Sequence, residues 1–170
     1  MKTKSMAIFI SLAIFLAIIS VARASSDNME LAYLIGTGGP HGPVISMADN
    51  GDTITLEGTG SFMTKDKSAT GTGTFVHKDA AGNEIGHGTW HAKRLVSFQS
   101  FGSASAQGFP AEFWGGKALI EVHAVAASGL EADAILTVNC VLGNKIPNGA
   151  DEGIRLNVKD LINFNKEVHG

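Results

Sequence analysis

Alternation of apolar and polar residues with a period of two constrains the fold of this chain more than any other feature. After residue 29 this alternation recurs between clusters of Gly, Asn and Asp, and no long segment shows the 3.6-residue period of a helix. The pattern predicts strands at 29–35, 43–48, 53–64, 69–78, 84–96, 117–127, 132–142 and 153–168. Eight strands joined mostly by tight turns predict an all-β antiparallel meander, closed or nearly closed as a β-barrel, with a β-sandwich as the alternative.

A short repeat lies within three of these strands. The sequence GTGSF at 58–62 recurs as GTGTF at 71–75 and as GHGTW at 86–90. If the two intervening turns fold symmetrically, Phe62 and Trp90 both lie opposite Gly71, and Phe75 lies opposite Gly58 and Gly86. Because glycine lets a sheet coil and an aromatic ring covers its bare backbone, the repeat predicts a strongly curved sheet with its aromatic residues on the concave side.

The turn at Asn50-Gly51 sets the expected register of the first hairpin. This dipeptide favours a two-residue type I′ turn, which pairs Met47 with Ile54 and Ile45 with Leu56 on the core face. The opposite face is then polar and lies in solvent. Along the repeat strands it carries Thr59, Ser61, Thr72, Thr74, His87, Thr89 and His91.

The N-terminus has the order of a secretory signal. A basic segment at 1–4 precedes an apolar run of about 16 residues, and small residues at 22 and 24 suit a signal peptidase. The run is shorter than the roughly 20 residues of a membrane span. We therefore expect a signal-peptide helix within 1–24, cleavage between Ala24 and Ser25, and secretion of a single all-β domain, 25–170. Membrane contact would then require an uncleaved signal.

Charge and cysteine content exclude several classes of function. Removing residues 1–24 leaves 146 of the 170 residues, with ten Lys and Arg against 16 Asp and Glu, a net charge of −6. Without a basic run we expect no nucleic-acid partner. The single cysteine, Cys140, excludes an internal disulfide and shares strand parity with Leu136 and Val138, which predicts burial. The six histidines lack metal-binding spacing, so we expect neither a metal nor another cofactor.

Residues 97–116 break the alternation and predict a long loop rich in aromatic residues. Such a loop either plugs one end of the barrel or borders a ligand pocket. The leading interpretation is a secreted, non-catalytic barrel that binds a small apolar or glycan ligand at an aromatic-lined mouth. The predicted binding residues are Phe101, Phe109, Phe113 and Trp114.

Two other functions stay open. The chain is either a structural or surface-interaction protein that uses its Thr-rich face, or a secreted barrel enzyme with no recognisable catalytic motif. Asp160 shares parity with Leu156 and Val158, and marks either a strand break or a buried acid. An enclosed apolar cavity favours the binding domain, and a filled interior favours the structural protein. A cavity that contains Asp160 or two histidines favours the enzyme.

Overall fold

The computed structural model describes residues 18–20, 28–36 and 43–169, which are almost entirely antiparallel β-sheet. The helical content of these residues is a single 3-10 turn, Ala104–Gln107. The strands are β1 Ile18–Ser20, β2 Glu30–Ile35, β3 Val44–Ala48, β4 Thr53–Met63, β5 Ala69–Lys78, β6 Glu84–Ser103, β7 Phe113–Ala126, β8 Glu131–Cys140, β9 Gly153–Val158 and β10 Ile162–His169.

Eight of these strands, β3 to β10, form a ring. Hydrogen bonding follows the order β4-β3-β10-β9-β8-β7-β6-β5, and β5 returns to β4. The strands are not spaced evenly around an axis, so the architecture is barrel-like or sandwich-like, which confirms the predicted all-β fold class. Strand β2 extends the ring by pairing with 58–63 of β4, beyond the part of β4 that pairs with β3.

The predicted signal-peptide helix lies largely outside the described residues, as does the predicted cleavage site at Ala24 and Ser25. The three described residues of that segment form β1, which is extended and not helical. In β1, Ile19 pairs with Ala32 of β2 and with Phe113 of β7. Among the described residues, no helix has the length and apolar character that crossing a membrane requires.

The core lies inside the ring, and the predicted choice of faces is confirmed in β4 to β6. Phe62 and Trp90 are buried, at 1% and 2% exposure, whereas the threonines of the repeat point outward. Cys140 is buried as predicted. Six of the eight ring strands contribute further large buried side chains, which include Leu56, Leu95, Ile120, Leu136, Ile154 and Phe164.

The predicted pairing of aromatic residues with glycines is wrong by two residues. Phe62 lies opposite Ala69, and Trp90 lies opposite Gly73. The first turn is centred one residue earlier than expected, because the Met63 amide donates to the Ser68 carbonyl over 2.9 Å and encloses a four-residue loop. Lys67 enables this loop by adopting a φ of 63°. A shift of two residues keeps the parity, so the core face was still predicted correctly.

Aromatic rings do cover glycines in this sheet, although the partners differ from those predicted. The Trp90 indole lies over Gly58 and Gly73, and its Nε1 donates to the Glu57 carbonyl at 3.2 Å. The Tyr33 ring lies over two further glycines of β4 and β5, and its hydroxyl donates to the Thr70 carbonyl at 3.2 Å. Burial raises the pKa of Tyr33. Each ring thus fills the space above bare backbone and satisfies a carbonyl there.

The register of β3 differs from the prediction by one residue. Ser46 pairs with Ile54, and Val44 pairs with Leu56, so the predicted pairs of Met47 and Ile45 are wrong. The loop has three residues, 49–51. It is closed by a hydrogen bond of 2.8 Å that the Ala48 amide donates to the Asp52 carbonyl. Within that loop Gly51 alone has positive φ, as in a type I turn with a bulge. One additional loop residue turns every side chain of β3 to the other face.

Most of the predicted 97–116 loop is strand. Strand β6 continues to Ser103 and β7 begins at Phe113, which leaves a connection of 104–112. Register shifts at three points of the β6–β7 pairing break the alternation of apolar and polar residues, which made these strand segments resemble a loop.

Asp160 is exposed, has a φ of 58° and lies in the turn between β9 and β10. The strand-break interpretation of Asp160 is therefore confirmed, and the buried-acid interpretation is wrong.

Candidate functional site

An apolar pocket of about 270 Å³ opens at one end of the ring. Seven of the eight ring strands contribute to it, with residues from the beginnings of β4, β6, β8 and β10 and from the ends of β5, β7 and β9. Its inner wall includes Ile54, Phe75, Ala132, Leu156 and Phe164. Because the strands are antiparallel, residues that are far apart in the sequence meet at this end.

The rim of this pocket carries large apolar side chains that are exposed to solvent. Ile85, Leu130 and Leu161 are exposed by 57%, 61% and 62%. Leu130 follows the turn after β7, and Leu161 ends the turn before β10, where polar residues are more usual. Exposed apolar side chains clustered around one opening are typical of a binding site.

Among the described residues of the pocket wall, His77 is the only one with an ionisable side chain. Its Nε2 lies 3.1 Å from Oδ2 of Asp52, and its ring packs edge-on against the Phe164 ring with centroids 5.3 Å apart. The side chains of His77 and Asp52 are mostly buried, at 24% and 16% exposure. The carboxylate and the aromatic ring together hold the imidazole in one orientation.

The predicted binding residues lie at the opposite end of the ring and do not line this pocket. Phe101 is buried at 1% exposure. Phe109, Phe113 and Trp114 are half-buried and pack against the core, and the rings of Phe109 and Phe113 have centroids 6.2 Å apart. The role of these four residues in ligand binding stays a prediction. The apolar pocket was missed because its wall is assembled from strand ends that no local motif connects.

A polar cleft of about 810 Å³ lies where β9 and β10 separate, beyond the pair Leu156 and Phe164. Burial raises the pKa of Glu152 to about 7. Burial, with the nearby carboxylates of Glu152 and Asp151, raises the pKa of Glu167 to about 7. No local pattern in the sequence connects Glu152 with Glu167, because Glu167 comes from the far end of another strand.

A network of charged side chains covers part of the outer face. The rings of His91 and His123 have centroids 5.1 Å apart, and Nδ1 of His123 lies 2.9 Å from Oδ1 of Asp133. This hydrogen bond raises the pKa of His123. Lys93 contacts both Glu121 and Asp133, at 3.0 and 3.2 Å. Exposed networks of this kind contribute little to stability.

In the part of the chain that the structure describes, no group of three or more His, Cys, Asp or Glu residues has a geometry that would hold a metal ion.

Comparisons with protein-family models, curated proteins and solved structures give no match for this chain.

Proposed function

We propose that this chain is a secreted, non-catalytic domain that binds a small apolar ligand in the pocket at the Ile85, Leu130 and Leu161 end of the ring. The observation that carries the proposal is the combination of an apolar wall with an exposed apolar rim. A monomeric domain gains nothing in stability by exposing such residues around an opening, whereas a ligand that covers them removes apolar surface from water.

The size and chemistry of the pocket define the ligand class. A volume of about 270 Å³ falls just below the roughly 300–1,000 Å³ of common ligand sites, which favours a small molecule. Burying about 200 Å² of apolar ligand surface is favourable by roughly 5 kcal/mol before the entropy of association is subtracted, so a Kd of about 0.2 mM or weaker is expected. The wall offers two polar side chains, those of His77 and Ser128, which are too few for the hydroxyl groups of a glycan.

Secretion is the second part of the proposal, and its support is the N-terminal sequence. The basic segment, the apolar run and the small residues before Ser25 suit export followed by cleavage.

A pocket-filling variant tests the binding site. We expect toluene to bind the wild-type domain in an NMR titration, and Ala132→Phe to weaken binding at least tenfold because the new ring occupies the pocket. Ala111→Phe is the matched control, since it adds the same ring to an exposed residue at the opposite end. Trp114→Ala should leave toluene affinity unchanged.

Two results would contradict this assignment. If Trp114→Ala weakens binding and Ala132→Phe does not, the site lies at the predicted residues Phe101, Phe109, Phe113 and Trp114. If the domain is a dimer that Leu130→Lys dissociates, and toluene does not bind the monomer, the rim is an interface between two copies.

A surface-interaction function is the second candidate, and one observation favours it. Thr59 pairs with Thr72, and Thr74 pairs with Thr89, so exposed threonines form cross-strand rows on the outer face. Sedimentation of the wild-type domain with insoluble polysaccharide, lost in Thr72→Lys, would support it. The enzyme alternative has weaker support, since the described wall of the apolar pocket holds one histidine and does not include Asp160.

A further inference from the structure

His77 gives the apolar pocket a chemical preference that its other walls do not supply. We propose that the ligand carries one hydroxyl group, which donates a hydrogen bond to Nδ1 of His77; this inference rests on the proposed function. The ligand class is thus a small alcohol or phenol with an apolar body.

The contact with Asp52 determines which nitrogen of His77 is free. An ionised carboxylate only accepts hydrogen bonds, so the Nε2 atom, 3.1 Å from Oδ2 of Asp52, carries the imidazole proton. In the neutral ring the other nitrogen, Nδ1, is then an acceptor. Among the described residues, no group donates a hydrogen bond to Nδ1. His77 lines the pocket and Asp52 does not, so Nδ1 is the nitrogen of this ring that is left for a ligand, and Asp52 and Phe164 set the orientation of the ring.

The same geometry argues against charged ligands. A ligand carboxylate beside His77 would approach a histidine that is already paired with Asp52. The ligand and Asp52 would then place two negative charges in the site against at most one positive charge on His77. An ammonium group finds Asp52 already engaged by the imidazole, and the remaining wall is almost entirely apolar. A neutral hydroxyl satisfies Nδ1 without adding charge.

A matched pair of ligands separates the hydrogen bond from apolar contact. p-Cresol and p-xylene have nearly the same shape and differ by a hydroxyl in place of a methyl group. At pH 8 we expect the wild-type domain to bind p-cresol about tenfold more tightly than p-xylene in an NMR titration. In His77→Phe this preference should disappear or reverse, because the acceptor nitrogen is gone.

The outcomes distinguish the two proposals. If both ligands bind the wild-type domain and His77→Phe leaves their ratio unchanged, the hydroxyl inference is wrong and the binding function stands. If neither ligand binds, the proposed function is wrong as well.

A spectroscopic measurement on the wild-type domain keeps the test independent of whether His77→Phe folds. The 15N resonances of His77 should show an unprotonated Nδ1, which moves on addition of p-cresol and not on addition of p-xylene. In Asp52→Ala the tautomer is no longer determined by the carboxylate, so we expect a mixture of tautomers and a smaller preference for p-cresol. A protonated Nδ1 in the wild-type domain, or equal responses to both ligands, would overturn the inference.

Discussion

Replacement of Gly73 by alanine should destabilise the domain strongly, because this glycine has neighbours on two sides. A Cβ atom at Gly73 would lie 1.9 Å from the Glu57 carbonyl oxygen and 2.7 Å from the Trp90 indole. Neither neighbour can move freely, since the first is backbone of the paired strand and the second is buried at 2% exposure. The strands β4 and β5 must therefore separate locally or the indole must leave its site.

The magnitude follows from the cost of overpacking a core. Such insertions cost about 1–3 kcal/mol, and contact with backbone puts Gly73→Ala at the upper end, about 3 kcal/mol. For a domain of this size that corresponds to a fall in Tm of about 10 °C. Gly86→Ala is the matched control, because a Cβ there meets only the Cβ of His77, at 3.8 Å. It should leave the domain unchanged or stabilise it by about 0.5 kcal/mol.

Thermal and urea unfolding of the two variants, followed by circular dichroism and Trp fluorescence, measures this difference. The reasoning would be refuted if Gly73→Ala melted within about 2 °C of the wild type, or if Gly86→Ala were the more destabilised of the two. The first result would mean that the Glu57 carbonyl and the indole do not confine Gly73 as these distances indicate, and the second that the space at Gly86 is smaller than they indicate.

Three further predictions concern other parts of the chain. Because burial raises the pKa of Glu152 from 4.5 to about 7, the ionised carboxylate opposes folding, and stability should fall as pH rises from about 4.5 through 7. Glu152→Gln should remove much of this slope and raise stability at pH 8 by about 1–2 kcal/mol, which urea unfolding at pH 5 and pH 8 measures. The intact mass of the exported protein should correspond to a chain that begins at Ser25, and recovery from the membrane fraction with Met1 retained would contradict cleavage. Phe101→Ala should cost about 3–5 kcal/mol in urea unfolding and Trp114→Ala less, because the first side chain is fully buried and the second is half-buried; equal costs would contradict this difference in packing.

The fold class followed from the sequence because strand alternation is a local property. The period of two, with Gly and Asn at the turns, identified most strands to within a few residues and gave the correct face for Phe62 and Trp90. Registers depended on turn geometry, which the sequence determines less tightly. At Asn50-Gly51 a three-residue loop in place of a two-residue one was enough to exchange the faces of β3.

The pocket was beyond the reach of the sequence because alternation reports which face a residue occupies and not how far along the ring it lies. Phe75, Leu156 and Ile162 share an end of the ring through the combined registers of several strand pairs. All four aromatic–glycine pairings predicted within the repeat were wrong by two residues, which is a displacement of about 7 Å along a strand. The aromatic residues near 101–114 were visible as a local cluster, and that cluster lies at the other end.

The measurement that tests the central claim most directly is a methyl-labelled NMR titration of the domain with p-cresol. If the pocket binds it, the methyl resonances of Ile85, Leu156 and Ile162 should shift in a saturable manner. Those of Leu31 and Val138, which lie toward the opposite end, should not shift. Saturable shifts confined to the opposite end, or no saturable shift at either end, would contradict the assignment of this pocket as the binding site.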